Sequence, residues 1–493
     1  MGGVIQSAKR KLFTQNANKF DHLRRTQNMR AGFAEIEFTP AEGAIPGQIM
    51  PGYATDKLTP LMSHAAVVES NGVMAAIVSL DIIFFTTRFA DSLRERISEA
   101  TGIPAELIML HTTHTHTGCE TDVACWGAPA NPDALIPVAD ATVKAVLAAK
   151  EALAPVKMGT ARGFDTRYHF CRDWYTTDGR IVMNPGGMPR ENLVRPVSDI
   201  DHSVNVIRFD DLEGNPLAFI VNYANHLDAT AKYKMFGADY AGYLRIALRR
   251  DFGRDVAVLF LNGCCGNINH CDYYNNSHKQ RHCRKGLLAS EQIGEGLAKV
   301  VKEVQPDLVC AEKEIFIQGK YEKFPVPRRH ATPEMKEWAA AFIEKVERAK
   351  AAGENYYLHD EICAMQYLAE DPDTVPATVD IGIHVLQIGD TVYVGLPGEI
   401  FSEIGLKIKA NSPFANTVVV ELADGWEGYI PTDNALLAGC YESMYSNISY
   451  VGVGTGDAIV AGATKMLKEL YDNETEKLIG KMKTAADTCY RIK

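Results

Sequence analysis

The chain has 493 residues, 46% hydrophobic and 23% charged, with a formal net charge of −11. That length can bury one large core or two to three ordinary ones. The acidic balance, with no basic tract carrying interleaved aromatics, argues against nucleic acid or an anionic membrane as the main partner, and no stretch approaches 18 uninterrupted apolar residues, so no membrane span is expected.

Residues 1–30, opening MGGVIQSAKRKLF, are polar and basic and read as an N-terminal arm. They lack the apolar stretch of a secretory signal, and Gln6 stands where a myristoylation signal wants Ser or Thr. Eleven cysteines, an odd number in a long chain without such a signal, predict reduced thiols and a cytoplasmic protein. A strand over 32–38 leads into a Pro/Gly-rich loop through Pro51 and Gly52. AAVVES (65–70) and VMAAIVSLDII (73–83) read as strands joined by Asn71-Gly72, a strong hairpin signal. ADSLRERISEATG (90–102) is an amphipathic helix stopped by Gly102.

ELIMLHTT (106–113) is then a buried strand running into HTTHTHTG (111–118). The same pattern recurs in PLAFIVNYANH (216–226), DVAVLFLNGCCGN (255–267), TVYVGLPGE (391–399) and NTVVVELADGWEGY (416–429). Helical patterns lie at 239–251, 287–304, 333–351 and 399–410. Strands mixed with helices throughout predict an α/β fold of mixed α+β layers. No repeat of 20–50 residues is visible. One large catalytic domain is expected over 31–475, with the charge-richer stretch 320–375 as a candidate helical insertion and 476–493 as a tail.

His114 and His116 are two apart, so in an extended chain both leave from one face, while His111 faces the other way and reads as structural. His226 ends a second apolar strand, and Glu399 follows Pro397-Gly398 at the end of a third. Taken singly, each has a plain explanation: a hydrogen-bonded histidine, or a carboxylate in the first turn of helix 399–410. Together they offer a His/His/carboxylate set, a standard combination for catalytic zinc. Such a site lowers the pKa of bound water to about 7 and polarises a carbonyl oxygen. Farther along, HCDYYNNSHKQRHC (270–283) offers His270, Cys271, Asp272, His278, His282 and Cys283 either as a second metal site or as a polar lid. Cys264-Cys265 read as small buried thiols.

Eight segments in order, THTHTG (113–118), CRDWYTTDGRIVMNPG (171–186), NYANH (222–226), GADYAG (237–242), LNGCCGNIN (261–269), LPGE (396–399), GWEGYIPT (425–432) and GCYE (439–442), resemble the catalytic domain of the neutral ceramidase family. These are zinc-dependent amidases. The resemblance implies zinc ligands His114, His226, Glu399 and Tyr429, with His116, Arg172 and Tyr441 beside the metal handling the carbonyl and protons. One departure stands out. Ceramidases carry a Gly-Asp-x-Ser-Pro segment with an essential serine, and this chain has Gly266-Asn267-Ile268-Asn269-His270. Asn269 cannot be a nucleophile, although its amide could donate to an oxyanion.

The chain also ends soon after the helical pattern 456–470, leaving no room for the immunoglobulin-like domain ceramidases usually add. The expectation is a zinc-dependent hydrolase that cleaves an amide or ester bond of a small polar metabolite by metal-activated water. A zinc-dependent lyase or isomerase acting on a sugar or cyclitol derivative is the first alternative. A non-catalytic small-molecule-binding protein is the second, and homo-oligomerisation stays open.

Overall fold

The computed structural model describes residues 29–47, 52–124, 129–274, 286–354, 358–371 and 373–491; the N-terminal arm lies almost wholly outside them. In the first sheet, β1 (Arg30–Glu37), β2 (Met62–Ser70), β3 (Val73–Leu80) and β4 (Ile108–Thr112) lie in the order β4-β3-β2-β1, and Ala154–Pro155 adds a short edge. β1, β2 and β3 are antiparallel neighbours. Helix α1 (Thr87–Thr101) then carries the chain to β4, which runs parallel to β3. Helix α2 (Leu135–Glu151) packs across β1 and β2.

The second sheet repeats this plan. β5 (Lys157–Phe164), β6 (Ser203–Asp210) and β7 (Pro216–Tyr223) are antiparallel neighbours, and helix α3 (Asp239–Phe252) crosses to β8 (Ala257–Asn262), parallel to β7. Helix α4 (Leu287–Glu303) packs on α3. The third sheet repeats it again. After β9 (Ile317–Pro327), the helical hairpin α5 (Pro333–Ala352) and α6 (Leu358–Ala369) precedes β10 (Thr378–Ile388) and β11 (Thr391–Leu396). These strands are antiparallel, and helix α7 (Ser402–Asn411) crosses to β12 (Asn416–Glu421), parallel to β11. Helix α8 (Thr455–Arg491) follows.

The architecture is thus mixed α/β, with one connection pattern used three times. The repetition lies in topology, and for that reason no repeat shows in the sequence. Strands buried on both faces read as continuous apolar runs, and every residue of AVLFLN (257–262) and TVYVGL (391–396) is buried. Their inner faces share one core that includes Ile77, Leu110, Ile220, Leu259, Leu386 and Val418. The outer faces are covered by α3 and α4 through Leu244 and Ile293, and by α7 and α8 through Ile404 and Leu467. Each such side chain contributes about 1.5–3 kcal/mol by leaving water.

Polar clamps fix the sheets against one another. His111 Nδ1 lies 3.2 Å from Ser79 Oγ, and Ser79 donates to Phe260 O at 2.6 Å. His111 Nε2 accepts the Asn262 N–H at 3.0 Å, so its part is structural. Asn222 Nδ2 reaches Leu261 O at 3.1 Å and Val419 O at 3.2 Å. These bonds gather the C-terminal ends of all three parallel pairs at one place, where open α/β sheets bind ligands.

Local differences from the sequence reading have identifiable causes. The hairpin at Asn71-Gly72 and the stop at Gly102 (φ 73°) are present, but α1 starts at Thr87 because Thr86 caps it, its side chain accepting from Phe89 N at 3.1 Å. Glu399 is not in a helical first turn. Glu399–Ile400 pairs in parallel with Tyr429–Ile430, and the helix begins at Ser402. In 320–375, the first part belongs to β9 and the helices are α5 and α6. Seven described cysteines are free, but Cys271 is disulfide-bonded, so the expectation of reduced thiols fails there. Among the described residues, no helix is long and apolar enough to cross a membrane.

Candidate metal centre

His114, His116 and His226 come together in the interior with their ligand atoms all within 4.8 Å of one another. Strand alternation does not bring the first two together. β4 ends at Thr112, and His114 takes a left-handed backbone (φ 64°), pinned by its N–H to Ile82 O at 3.1 Å. Such a conformation is costly outside glycine and is held by its surroundings. Gly47 lets the chain pass against this turn, because a Cβ there would sit 2.5 Å from His116 Cα.

Each ring nitrogen Nδ1 faces a carbonyl that can only accept. His114 Nδ1 donates to Ile83 O at 3.1 Å, His116 Nδ1 to Gly47 O at 2.5 Å, and His226 Nδ1 to Cys265 O at 3.0 Å. In a neutral imidazole that leaves Nε2 as the acceptor nitrogen; the Nε2 atoms of His114 and His116 lie 3.4 Å apart, and those of His114 and His226 face Glu399. Burial pushes His116 down to about 3 and His226 down to about 4, so both are neutral. Glu399 Oε1 accepts from Trp426 Nε1 at 3.1 Å, while Oε2 has no hydrogen-bond donor and faces His226 Nε2 at 3.3 Å and His114 Nε2 at 3.4 Å. Burial opposes the Glu399 charge, but His114 and His226 outweigh it and hold the carboxyl well below its ordinary range.

Burial opposes a charge on His114 too, but Glu399 outweighs it and raises that imidazole; three imidazoles and a carboxylate gathered at one point are a donor set for a cation in the proton's place. Ligands about 2.0–2.1 Å from a tetrahedral zinc stand roughly 3.3–3.4 Å apart. The separations here are 3.3 Å for His226–Glu399, 3.4 Å for His114–Glu399 and 3.4 Å for His114–His116. The residues therefore fit a metal ion. Tyr429 sits beside Glu399 in the two-residue ladder. Burial and the Glu399 charge push its phenol well above the ordinary value, so it becomes a ligand only where a cation stabilises the phenolate.

Arg172 borders the cluster. Its Nη1 lies 3.4 Å from His226 Nε2, its Nε donates to Glu442 Oε1 at 2.7 Å, and its Nη2 to Gly266 O at 2.7 Å. The guanidinium lies 5.6 Å from the centre of the Tyr429 ring, and Tyr441 lies against Tyr429 with ring centres 6.0 Å apart.

No family model matches the chain. Over 208 residues, 40% of this chain but 28% of the relative, it is 26% identical to neutral ceramidase A of Dictyostelium discoideum. The match thus spans well under two thirds of that relative's length. In fold it matches a ceramidase complexed with C2 at a TM-score of 0.68 and 17% identity, covering 91% of this chain and 76% of that one. Neutral ceramidase from Pseudomonas aeruginosa matches at a TM-score of 0.67 and 16% identity, with coverages of 91% and 75%. The fold is neutral ceramidase-like.

Within this ceramidase-like fold, seven of the eight candidate residues lie in or against one cluster, and the eighth, Asn269, is held by Asn184 and Cys271. Its Nδ2 donates to Asn184 Oδ1 at 2.7 Å and its Oδ1 accepts the Cys271 N–H at 2.9 Å, which anchors the amide and leaves its second N–H available. His270 is buried with Nδ1 3.0 Å from Asp228 Oδ1, while His278, His282 and Cys283 lie outside the described residues. Among the described residues, the His114/His116/His226 group alone has metal-ligand geometry. Cys264 and Cys265 are buried thiols, pushed up by burial and so not thiolates.

Sequence reasoning missed three residues: Glu442 behind Arg172, Trp426 on Glu399, and Glu421. Glu421 carried a signal. It is a carboxylate closing the apolar run NTVVVE, just as His226 and Glu399 close theirs.

Proposed function

We propose that the protein is a zinc-dependent hydrolase that cleaves an amide bond, or the related ester, in a small polar molecule. The observation that carries this reading is the gathering of His114, His116 and His226 with ligand atoms within 4.8 Å of one another, with the donor-less Oε2 of Glu399 3.3–3.4 Å from two of them. The ceramidase-like fold supports amide chemistry, and Asn269 in place of serine favours a substrate other than ceramide. His114, His226 and Glu399, with Tyr429, would hold the ion. When bound, zinc polarises the scissile carbonyl and lowers the pKa of water to about 7.

The remaining steps belong to the chain. His116 Nε2, the unprotonated ring nitrogen because Nδ1 donates to Gly47 O, takes a proton from the attacking water and returns it to the leaving nitrogen. Water oxygen bonds to the acyl carbon as the C–N bond breaks, giving a carboxylic acid and an amine. Arg172 Nη1, aimed at the cluster by Glu442 and Gly266, stabilises negative charge developing on the carbonyl oxygen.

The test is a panel of N-acylated amino sugars and small N-acyl amines, with a fluorescent ceramide beside them, run in heavy-oxygen water. Turnover of a polar amide with solvent oxygen in the acyl product is expected. Turnover without solvent oxygen in any acyl product would overturn hydrolysis, and robust ceramide cleavage would overturn the substrate class.

A further inference from the structure

Two arms of the cluster, His226 and Glu399, come from different sheets, yet one buried side chain stands behind both. Glu421, the last residue of β12, is fully buried. Its Oε2 accepts the Cys265 N–H at 2.8 Å and the Ile400 N–H at 2.9 Å, and its Oε1 accepts the Cys265 thiol at 2.7 Å. Cys265 is the residue whose carbonyl receives His226 Nδ1, and Ile400 directly follows Glu399. The loops meet closely here. A Cβ on Gly266 would lie 2.5 Å from Glu399 O, so this approach needs glycine.

We infer that Glu421 is the positioning residue of the metal centre, tying the His226 loop to the Glu399 loop so that both ligand atoms face one point. The inference rests on the metal reading above. Buried N–H groups must be paired, and here the pairing is used to join two ligand-bearing loops that no strand ladder connects directly. Groups that orient ligands from behind typically change metal affinity ten- to a hundredfold when removed.

The geometry makes an unusual demand on substitutions. Both backbone N–H groups go to the same oxygen, so a glutamine can receive both with its single carbonyl oxygen and place its NH2 against the Cys265 sulfur. Aspartate keeps the charge but is one methylene too short to reach both loops. A positioning role therefore predicts that Glu421→Gln is tolerated and Glu421→Asp is not, the reverse of what a purely electrostatic role predicts.

The experiment uses the full chain, stripped with chelator and titrated with zinc against a chromophoric competitor, with the cobalt absorption spectrum as a second readout. E421Q should bind zinc within about threefold of wild type and keep the cobalt bands. E421D should bind roughly ten- to a hundredfold more weakly with altered bands. Wild-type affinity in E421D, or E421Q weaker than E421D, overturns the inference. Should E421D fail to fold, Glu421→Met, of similar length but without acceptors, carries the same expectation as E421D. If wild type itself binds neither zinc nor cobalt, the metal reading fails. If wild type binds and every variant matches it, only the role of Glu421 fails.

Discussion

The two sides of the histidine cluster are fastened differently. His114 and His116 are aimed by main-chain carbonyls, Ile83 O and Gly47 O, from a turn locked by a left-handed residue. His226 and Glu399 depend in addition on side chains: Glu421 behind both loops, Trp426 on Glu399, and Arg172 beside His226. A carbonyl cannot be deleted by substitution, so the first side yields only when its backbone moves. The second side can be taken apart one residue at a time. Orientation is therefore built from the scaffold on one side and from buried polar pairs on the other, and the latter carry the higher risk when half removed.

The largest effects should erase the distinction. His114→Ala and His226→Ala each remove a ligand nitrogen, one from each side. Both should drop zinc from about one ion per chain to a small fraction of that, with activity lost; elemental analysis after gel filtration checks it. Retention of full zinc in both variants would show that the cluster is not the metal site. Next comes Arg172→Met, which removes a guanidinium from the side-chain-held side without removing a ligand. It should lower kcat by roughly 10²–10³ with zinc content unchanged. Zinc loss would mean that Arg172 works by holding His226 instead.

A smaller and more diagnostic effect is expected on the scaffold-held side. Gly47→Ala places a Cβ 2.5 Å from His116 Cα and 2.7 Å from its carbonyl oxygen, so this backbone must shift. Overpacking of that kind costs about 1–3 kcal/mol. If His116 carries protons, kcat should fall about tenfold while zinc stays bound. Zinc loss in this variant would make His116 a ligand and reduce Tyr429 to a neighbour.

Much of this was readable before any coordinates, for a physical reason. Strands buried on both faces are apolar throughout, so His226 and Glu399 stand out as polar residues at the ends of apolar runs. Other features had no such contrast. The left-handed backbone of His114 replaces the expected strand alternation, and nothing in THTHTG announces it. The hidden repetition of three sheets lies in strand direction and crossover, which composition does not record. Glu399 looked like the start of a helix because a carboxylate after Pro-Gly fits that role locally; its pairing with Tyr429 depends on a partner thirty residues away in sequence. Glu421 was visible as a strand-end carboxylate, but its function depends on two loops that only the fold brings together.

The smallest effect belongs to Asn269, which stands on neither side. The sequence resemblance sets it where ceramidases carry a serine, so Asn269→Ser would supply that hydroxyl and looks like a route to ceramide hydrolysis. The structure argues otherwise. Asn269 spends both ends of its amide on Asn184 and the Cys271 N–H, and a serine would forfeit at least the bond to Asn184. The cost should be about 0.5–1.5 kcal/mol of stability, the net worth of one such bond, with activity on the polar substrate within about threefold of wild type. Thermal melts beside steady-state kinetics separate the two. A tenfold change in kcat, or new ceramidase activity, would place position 269 in the reaction machinery after all. It would also mean that the cluster has a third side, open to the strand Ile268–Asn269.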